Sequence, residues 1–217
     1  MARKRFYKKA ATMNFKKLTE AEASFFTFYP KGFEDEALLP IIKRHNTAKI
    51  GESVRELFAP EKFSRTEEIG ESFAKIVSKS SLISLFEKPK VRDMVKAMNM
   101  EQQDMFAIGL YELLHADHEK GFRILVDVLT IYKLAKWSIV TLIPYYYARD
   151  KEFFIKPTTT KDIIKFFEIS GLEYKPKPTH EFYMRYTQIL KEMKSHVSPL
   201  IGADNAGFTG FLMMAMK

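Results

Sequence analysis

The chain has 217 residues, 46% of them hydrophobic, no cysteine and a formal net charge of +8. That length fits one domain, or two small ones of ~100–200 residues each, and it buries roughly 70% of the unfolded surface without a covalent staple. The lack of cysteine excludes disulfides, thiolate nucleophiles and cysteine-bound metals, while nineteen Phe and ten Tyr exclude global disorder.

The positive charge is concentrated at one end. Residues 1–17 hold Arg3, Lys4, Arg5, Lys8, Lys9, Lys16 and Lys17 and no acid, whereas the other 200 residues carry 28 basic and 27 acidic groups. Residues 1–17 lack the apolar run of a secretory signal. They read as a flexible basic arm ahead of a single helical domain over residues 18–217. Thr19 and Glu22 have capping-box spacing, which predicts a short helix to about Phe28. Tyr29-Pro30-Lys31-Gly32 ends it in a turn.

Leu38, Ile42, Ile50, Val54 and Leu57 recur at helical spacing. Pro40 belongs to the first turn of that run or lies outside it, and Gly51 is its expected break. Ser64 and Glu67 form a second capping box, with Ile69, Phe73, Ile76 and Val77 as the stripe behind it. Pro89 suits the first position of the next helix. Phe106, Leu110, Leu113 and Leu114 mark an amphipathic helix. The segment 122–135 is apolar on nearly every face, the pattern of a central buried helix.

A further helix starts near Ser138 and is kinked or ended by Pro144. Glu152 to Ile155 reads as a short extended piece. Thr159 and Asp162 form a third capping box, opening a helix through Ile169 that stops at Gly171. Lys175-Pro176-Lys177-Pro178 is a stiff connector. Phe182, Tyr186, Ile189, Leu190 and Met193 then give a long stripe, and Asp204 caps a final apolar helix. About ten helices, no alternating strand pattern and short connections define an all-α chain, folded as a single orthogonal multi-helix bundle. The uncharged stretch from Trp137 to Ala148 is shorter than the ~20 apolar residues of a membrane helix. The expectation is a cytoplasmic protein with no membrane partner.

No Walker-type glycine loop, G-x-S-x-G elbow or H-E-x-x-H pair is present, so no catalytic residue and no cofactor is assigned. Glu112-Leu-Leu-His115 places two metal-ligand types on one helix face, as in di-iron bundles. Those sites need a second Glu-x-x-His, which this chain lacks. A solvated helix end is the simpler reading, and no metal ligands are assigned.

The densest chemistry lies in KWSIVTLIPYYYARDKEFFIKPTTTK, residues 136–161. Lys156, Thr158, Thr159, Thr160 and Lys161 surround an expected helix start. About four backbone N–H groups lack partners there, and the helix dipole adds about half a positive charge. Two ammonium groups and three hydroxyls would complete a pocket for phosphate or carboxylate. Ordinary capping by Thr159, with Asp162 completing the box, accounts for the same residues without a ligand. Trp137 and Tyr145 to Tyr147 suit a core. Lys136 and Arg149 flank whichever ring faces out, as basic groups do beside stacked bases in single-stranded nucleic acid sites.

Phe25-Phe26-x-x-Tyr29-Pro30-x-Gly32-Phe33-x-Asp35, Lys136-Trp137-x-x-x-Thr141, Phe154-x-Lys156-Pro157-x-x-Thr160-Lys161 and Tyr174-x-Pro176-x-Pro178 together resemble a family of bacterial proteins of unknown function. The likeness spans roughly residues 25 to 213. The chain departs from that pattern at Ser138, where the family typically has proline, and near the end, where the family has an aromatic that is often tryptophan and this chain has Phe211 or Leu212. The resemblance implies one continuous domain and carries no activity.

Two functions are expected. One is association with DNA or RNA, with Arg3, Lys4, Arg5, Lys8, Lys9, Lys136 and Arg149 on the phosphate backbone and the 156–161 pocket on a phosphate. Neutralising five phosphates makes log K fall against log salt with a slope of about −4.5 on duplex DNA. The other is a non-catalytic interaction or regulatory subunit. Its C-terminal helix, with Phe208, Phe211, Leu212, Met213, Met214 and Met216, would dock a protein partner. An enzyme acting on a small phosphorylated substrate would use the same lysines and threonines, but no acid–base pair accompanies them.

Overall fold

A computed structural model describes residues 12–216. Where apolar side chains recur every three or four residues, the chain coils so that they share a face. In order, it forms α1 (Phe15–Phe28), α2 (Leu39–His45), α3 (Thr47–Leu57), α4 (Thr66–Lys79), α5 (Glu87–Ala97), α6 (Met100–His115), α7 (His118–Ile131), α8 (Trp137–Val140), α9 (Leu142–Tyr147), α10 (Pro157–Phe166), α11 (His180–Ser195), α12 (Pro199–Gly202) and α13 (Asn205–Ala215). Short 3-10 turns precede α2 and α4. Among the described residues there is no strand, and the fold is all-α. No helix there is long and apolar enough to cross a membrane.

Several starts differ from the expected ones. Asn14, not Thr19, opens α1: its side chain accepts from the Lys17 N–H. The Thr19 hydroxyl instead donates to the Phe15 carbonyl, and Glu22 accepts from the Ser198 N–H at 2.6 Å. The expected arm is therefore docked from Thr12 onward. Asn14 donates its N–H to the Phe167 carbonyl, Ser170 donates to Thr12, and Lys17 pairs with Glu168 at 2.8 Å. The expected backbone contacts at Arg3, Lys4, Arg5, Lys8 and Lys9 lie outside the described residues.

The Leu38–Phe58 run breaks at Asn46, whose left-handed φ of 46° ends α2, and not at Gly51. Gly51 lies inside α3 where α9 approaches; a Cβ there would sit 3.0 Å from the Tyr146 carbonyl oxygen. The Ser64–Glu67 box does not form. Ser64 donates to the Glu61 carbonyl and α4 starts without a side-chain cap. Its stripe of Ile69, Phe73, Ile76 and Val77 is fully buried as expected. Helix α6 has the capping box that the sequence reading passed over, between Asn99 and Gln102.

Helix α7 packs along α6. It buries Phe122, Leu125, Val126, Val128 and Leu129 but exposes Arg123 and Asp127, so it is amphipathic and not buried on every face. Gly121 permits the close approach: a Cβ there would lie 2.1 Å from the Leu113 backbone nitrogen. The break between α8 and α9 falls at Thr141, three residues before Pro144. Proline has no N–H to offer the carbonyl four residues earlier, and its ring collides with that carbonyl. The turn before it therefore opens.

One core runs from Leu18 to Leu212. Trp137 is 1% exposed, sits against Phe122 and Phe182, and donates its indole N–H to the Lys175 carbonyl at 2.8 Å. Between α9 and α10, residues 152–156 cross this core without helix or ladder. Side chains take over the backbone pairing there. The Phe153 N–H meets the Tyr183 hydroxyl, the Ile155 N–H meets the Thr141 hydroxyl, and the Glu152 carbonyl meets the Asn205 amide.

Candidate functional site

The expected anion pocket does not assemble as drawn from the sequence. Pro157, with its preset φ, starts α10 three residues early, so Lys156 is the N-cap residue in place of Thr159 and gives no side-chain cap. Thr159 and Thr160 are thereby turned inward, 9% and 1% exposed. The Thr160 hydroxyl pairs with the Tyr186 phenol. Asp162 is exposed and completes no box. Lys161 leans over the Tyr174 ring at 5.9 Å, leaving Lys156 and Thr158 exposed at the helix start.

The flanking cations are neutralised separately. Lys136 pairs with Glu87 at 2.8 Å, and Arg149 pairs with Asp204 at 2.7 Å. Tyr145 and Tyr146 are core, and burial pushes both phenols up. Tyr147 is half-buried, edge-on to His115. No basic face with an open ring forms from these residues. The C-terminal helix is likewise committed: Phe208, Phe211 and Leu212 are fully buried, with Phe211 edge-on to Phe25 of α1. Met213 is its one large exposed apolar side chain among the described residues.

Positive charge instead gathers at a cavity of about 470 Å³ between the end of α11, the loop after α9, and α12–α13. Asp150, Lys151, Lys191, Lys194, Ser195, Val197, Pro199, Gly202 and Asn205 line it. Lys191 and Lys194 are three residues apart on α11 and therefore share a face. Lys151 joins the lining from the loop after α9, and among the described residues neither Lys151 nor Lys191 has a carboxylate within ion-pair distance, although the charge of Lys191 acts on Glu152. Lys194 is held by the Asn205 side-chain oxygen at 2.9 Å, and burial lowers its pKa. Asn205 is itself buried and fixed to the Glu152 carbonyl by its amide. One ammonium is thus oriented by Asn205, Lys191 already acts on the charge of Glu152, and Lys151 is exposed. Asp150 is the only acid of the lining.

A second cluster lies at the other end of α11. Helices α7 and α11 both begin with a histidine, each directly after its capping residue, Asp117 and Thr179. His118 Nδ1 and His180 Nε2 are 3.0 Å apart. The outer nitrogens face carboxylates: His118 Nε2 is 3.8 Å from Glu152, and His180 Nδ1 is 3.9 Å from Glu119. Tyr183 stacks on His118 at 5.8 Å and donates its phenol to Glu152. Burial pushes the Glu152 carboxyl up, but His118, Tyr183 and the charge of Lys191 outweigh it and hold the carboxyl below its usual range. Burial and the neighbouring His118 lower His180. Burial also pushes the Tyr183 phenol far up, so it stays a donor.

The Glu112–His115 pair is divided between other partners. Glu112 takes Lys120 and the Asp117 N–H, and His115 meets the Phe58 carbonyl at 2.9 Å. Among the described residues no three His, Asp or Glu side chains are placed to hold a metal ion. The sequence did carry signals for both new clusters. Lys191-Glu-Met-Lys194 has helical spacing, and Asp117-His118-Glu119 and Thr179-His180-Glu181 repeat one cap-His-Glu pattern. Comparison with protein-family models, with curated proteins and with solved structures finds no match for this chain.

Proposed function

We propose that the protein binds a polyanion, with a nucleic acid backbone as its ligand class, through the lysine cavity at the end of α11. The observation that carries this reading is the meeting of Lys191 and Lys194 of α11 with Lys151 of the loop after α9 around one cavity whose lining holds a single acid. Cations that already have carboxylate partners, such as Lys136 and Arg149, give little affinity, because binding must first replace that partner. Lys151 and Lys191 have no direct ion pair to break, although the charge of Lys191 already acts on Glu152. Arg3, Lys4, Arg5, Lys8 and Lys9 add sequence-independent attraction. The reading is non-catalytic: binding needs only the ammonium groups, and no acid–base pair belongs to the cavity.

The test is an anisotropy titration of a single-stranded oligonucleotide at several salt concentrations. On single strands, each phosphate neutralised contributes about −0.7 to the slope of log K against log salt. Replacing Lys151 and Lys191 with Gln should therefore flatten the slope by about 1.4 and weaken binding at low salt. An unchanged slope in the double variant removes the cavity from the binding site. No binding by the wild-type chain at low salt rejects the function.

A further inference from the structure

We propose that the His118–His180 contact is an acid-released joint between the first turns of α7 and α11. The proton count across the contact dictates this. At 3.0 Å, one inner nitrogen must donate and the other must offer a lone pair. The neutral pair meets that condition, and so does the pair with one added proton. A second proton puts N–H groups on both facing nitrogens, and the contact cannot persist.

The surroundings set the direction. His180 sits at the positive end of the α11 dipole, which disfavours charging its ring. His180 is further lowered by burial and by His118. Opposing this are Glu119 and Asp117 from the start of α7, and Glu152 from the segment after α9, all acting on His180. Lys191 and the Tyr183 phenol act on Glu152 in turn. With the folded value depressed, the closed joint holds its full stability above the ordinary histidine value of ~6.5 and loses it as pH falls below that.

The molecule carries its own reporter. Trp137 is the only tryptophan. It packs on Phe122, whose ring also meets His118 and His180 at 6.5 and 5.8 Å. Trp137 emission is followed from pH 8 to 5, above the carboxylate range. The wild-type chain should give a transition below ~6.5. His180→Gln keeps an amide donor near the Nε2 position but cannot be charged, and should abolish that transition with the far-UV spectrum unchanged. A flat wild-type titration, or the same transition in H180Q, overturns the joint. If H180Q does not fold, histidine ring spectra of the wild-type protein decide. Coupled titration of the two rings supports the joint, and two independent one-proton curves near ~6.5 overturn it.

Discussion

Replacing Gly121 with Ala sets two opposed effects against each other. Alanine is the better helix former by about 0.8–1 kcal/mol, so an isolated α7 would gain. In the folded chain the new Cβ lies 2.1 Å from the Leu113 nitrogen, 2.6 Å from its Cα and 2.7 Å from the Glu112 carbonyl carbon. All three are backbone atoms of α6, so no rotamer change relieves the overlap. Ordinary contact begins at 3.4 Å, and α6 and α7 must part by about 1 Å. A gap of that size forfeits a quarter to a half of each dispersion contact across the seam, where Leu113, Phe122 and Leu125 are buried. Overpacking against side chains typically costs about 1–3 kcal/mol; against backbone the upper end applies, and the net loss after the propensity gain is about 2 kcal/mol or more. Urea unfolding followed by Trp137 fluorescence measures it. Gly70→Ala is the control, because its Cβ meets only side-chain methyls of Met98 and Val95, at 3.3 Å, and no backbone. That variant should stay within about 1 kcal/mol of wild type. A G121A protein as stable as G70A refutes the reasoning.

Tyr183→Phe removes the phenol that serves both Glu152 and the Phe153 N–H. Leaving those buried groups short of a partner should cost about 2 kcal/mol, read from the urea midpoint. Glu152 also predicts an acid limb. Its folded carboxyl is held below the unfolded value, so its contribution is complete above ~4.3 and is lost as pH falls through the depressed folded value. Stability measured from pH 7 to 3 should fall less steeply in Glu152→Gln; an identical acid limb would remove Glu152 as its cause.

Helix periodicity was the legible part of the fold. Phe182, Tyr186, Ile189, Leu190 and Met193 stand on one face of α11 and are all buried, as their spacing requires. The Asp204 cap also forms where the residue type points, accepting from the Gly207 N–H at 2.7 Å. Capping boxes at Thr19, Ser64 and Thr159 did not form, because a start signal competes with others nearby. Asn14 and Pro157 each lie upstream of a proposed start and take it over. The site was less legible because charge pairing is a matter of distance in space. Nothing local tells Lys136 that Glu87 awaits it 49 residues away, or Arg149 that Asp204 lies 55 away. The unpaired Lys151 and Lys191 emerge only once those pairs are taken.

The crossing at 152–156 bears on where the polypeptide tolerates being cut. Phe153 and Ile155 are wholly enclosed, and their amides depend on hydroxyls from α8–α9 and α11. Two halves divided there would bring newly ionised ends into a dry interior, and they should not reassemble. Between α4 and α5, Leu85 and Phe86 are 78% and 84% exposed. Fragments divided at that loop leave the wet ends outside, and complementation from separate halves should succeed there.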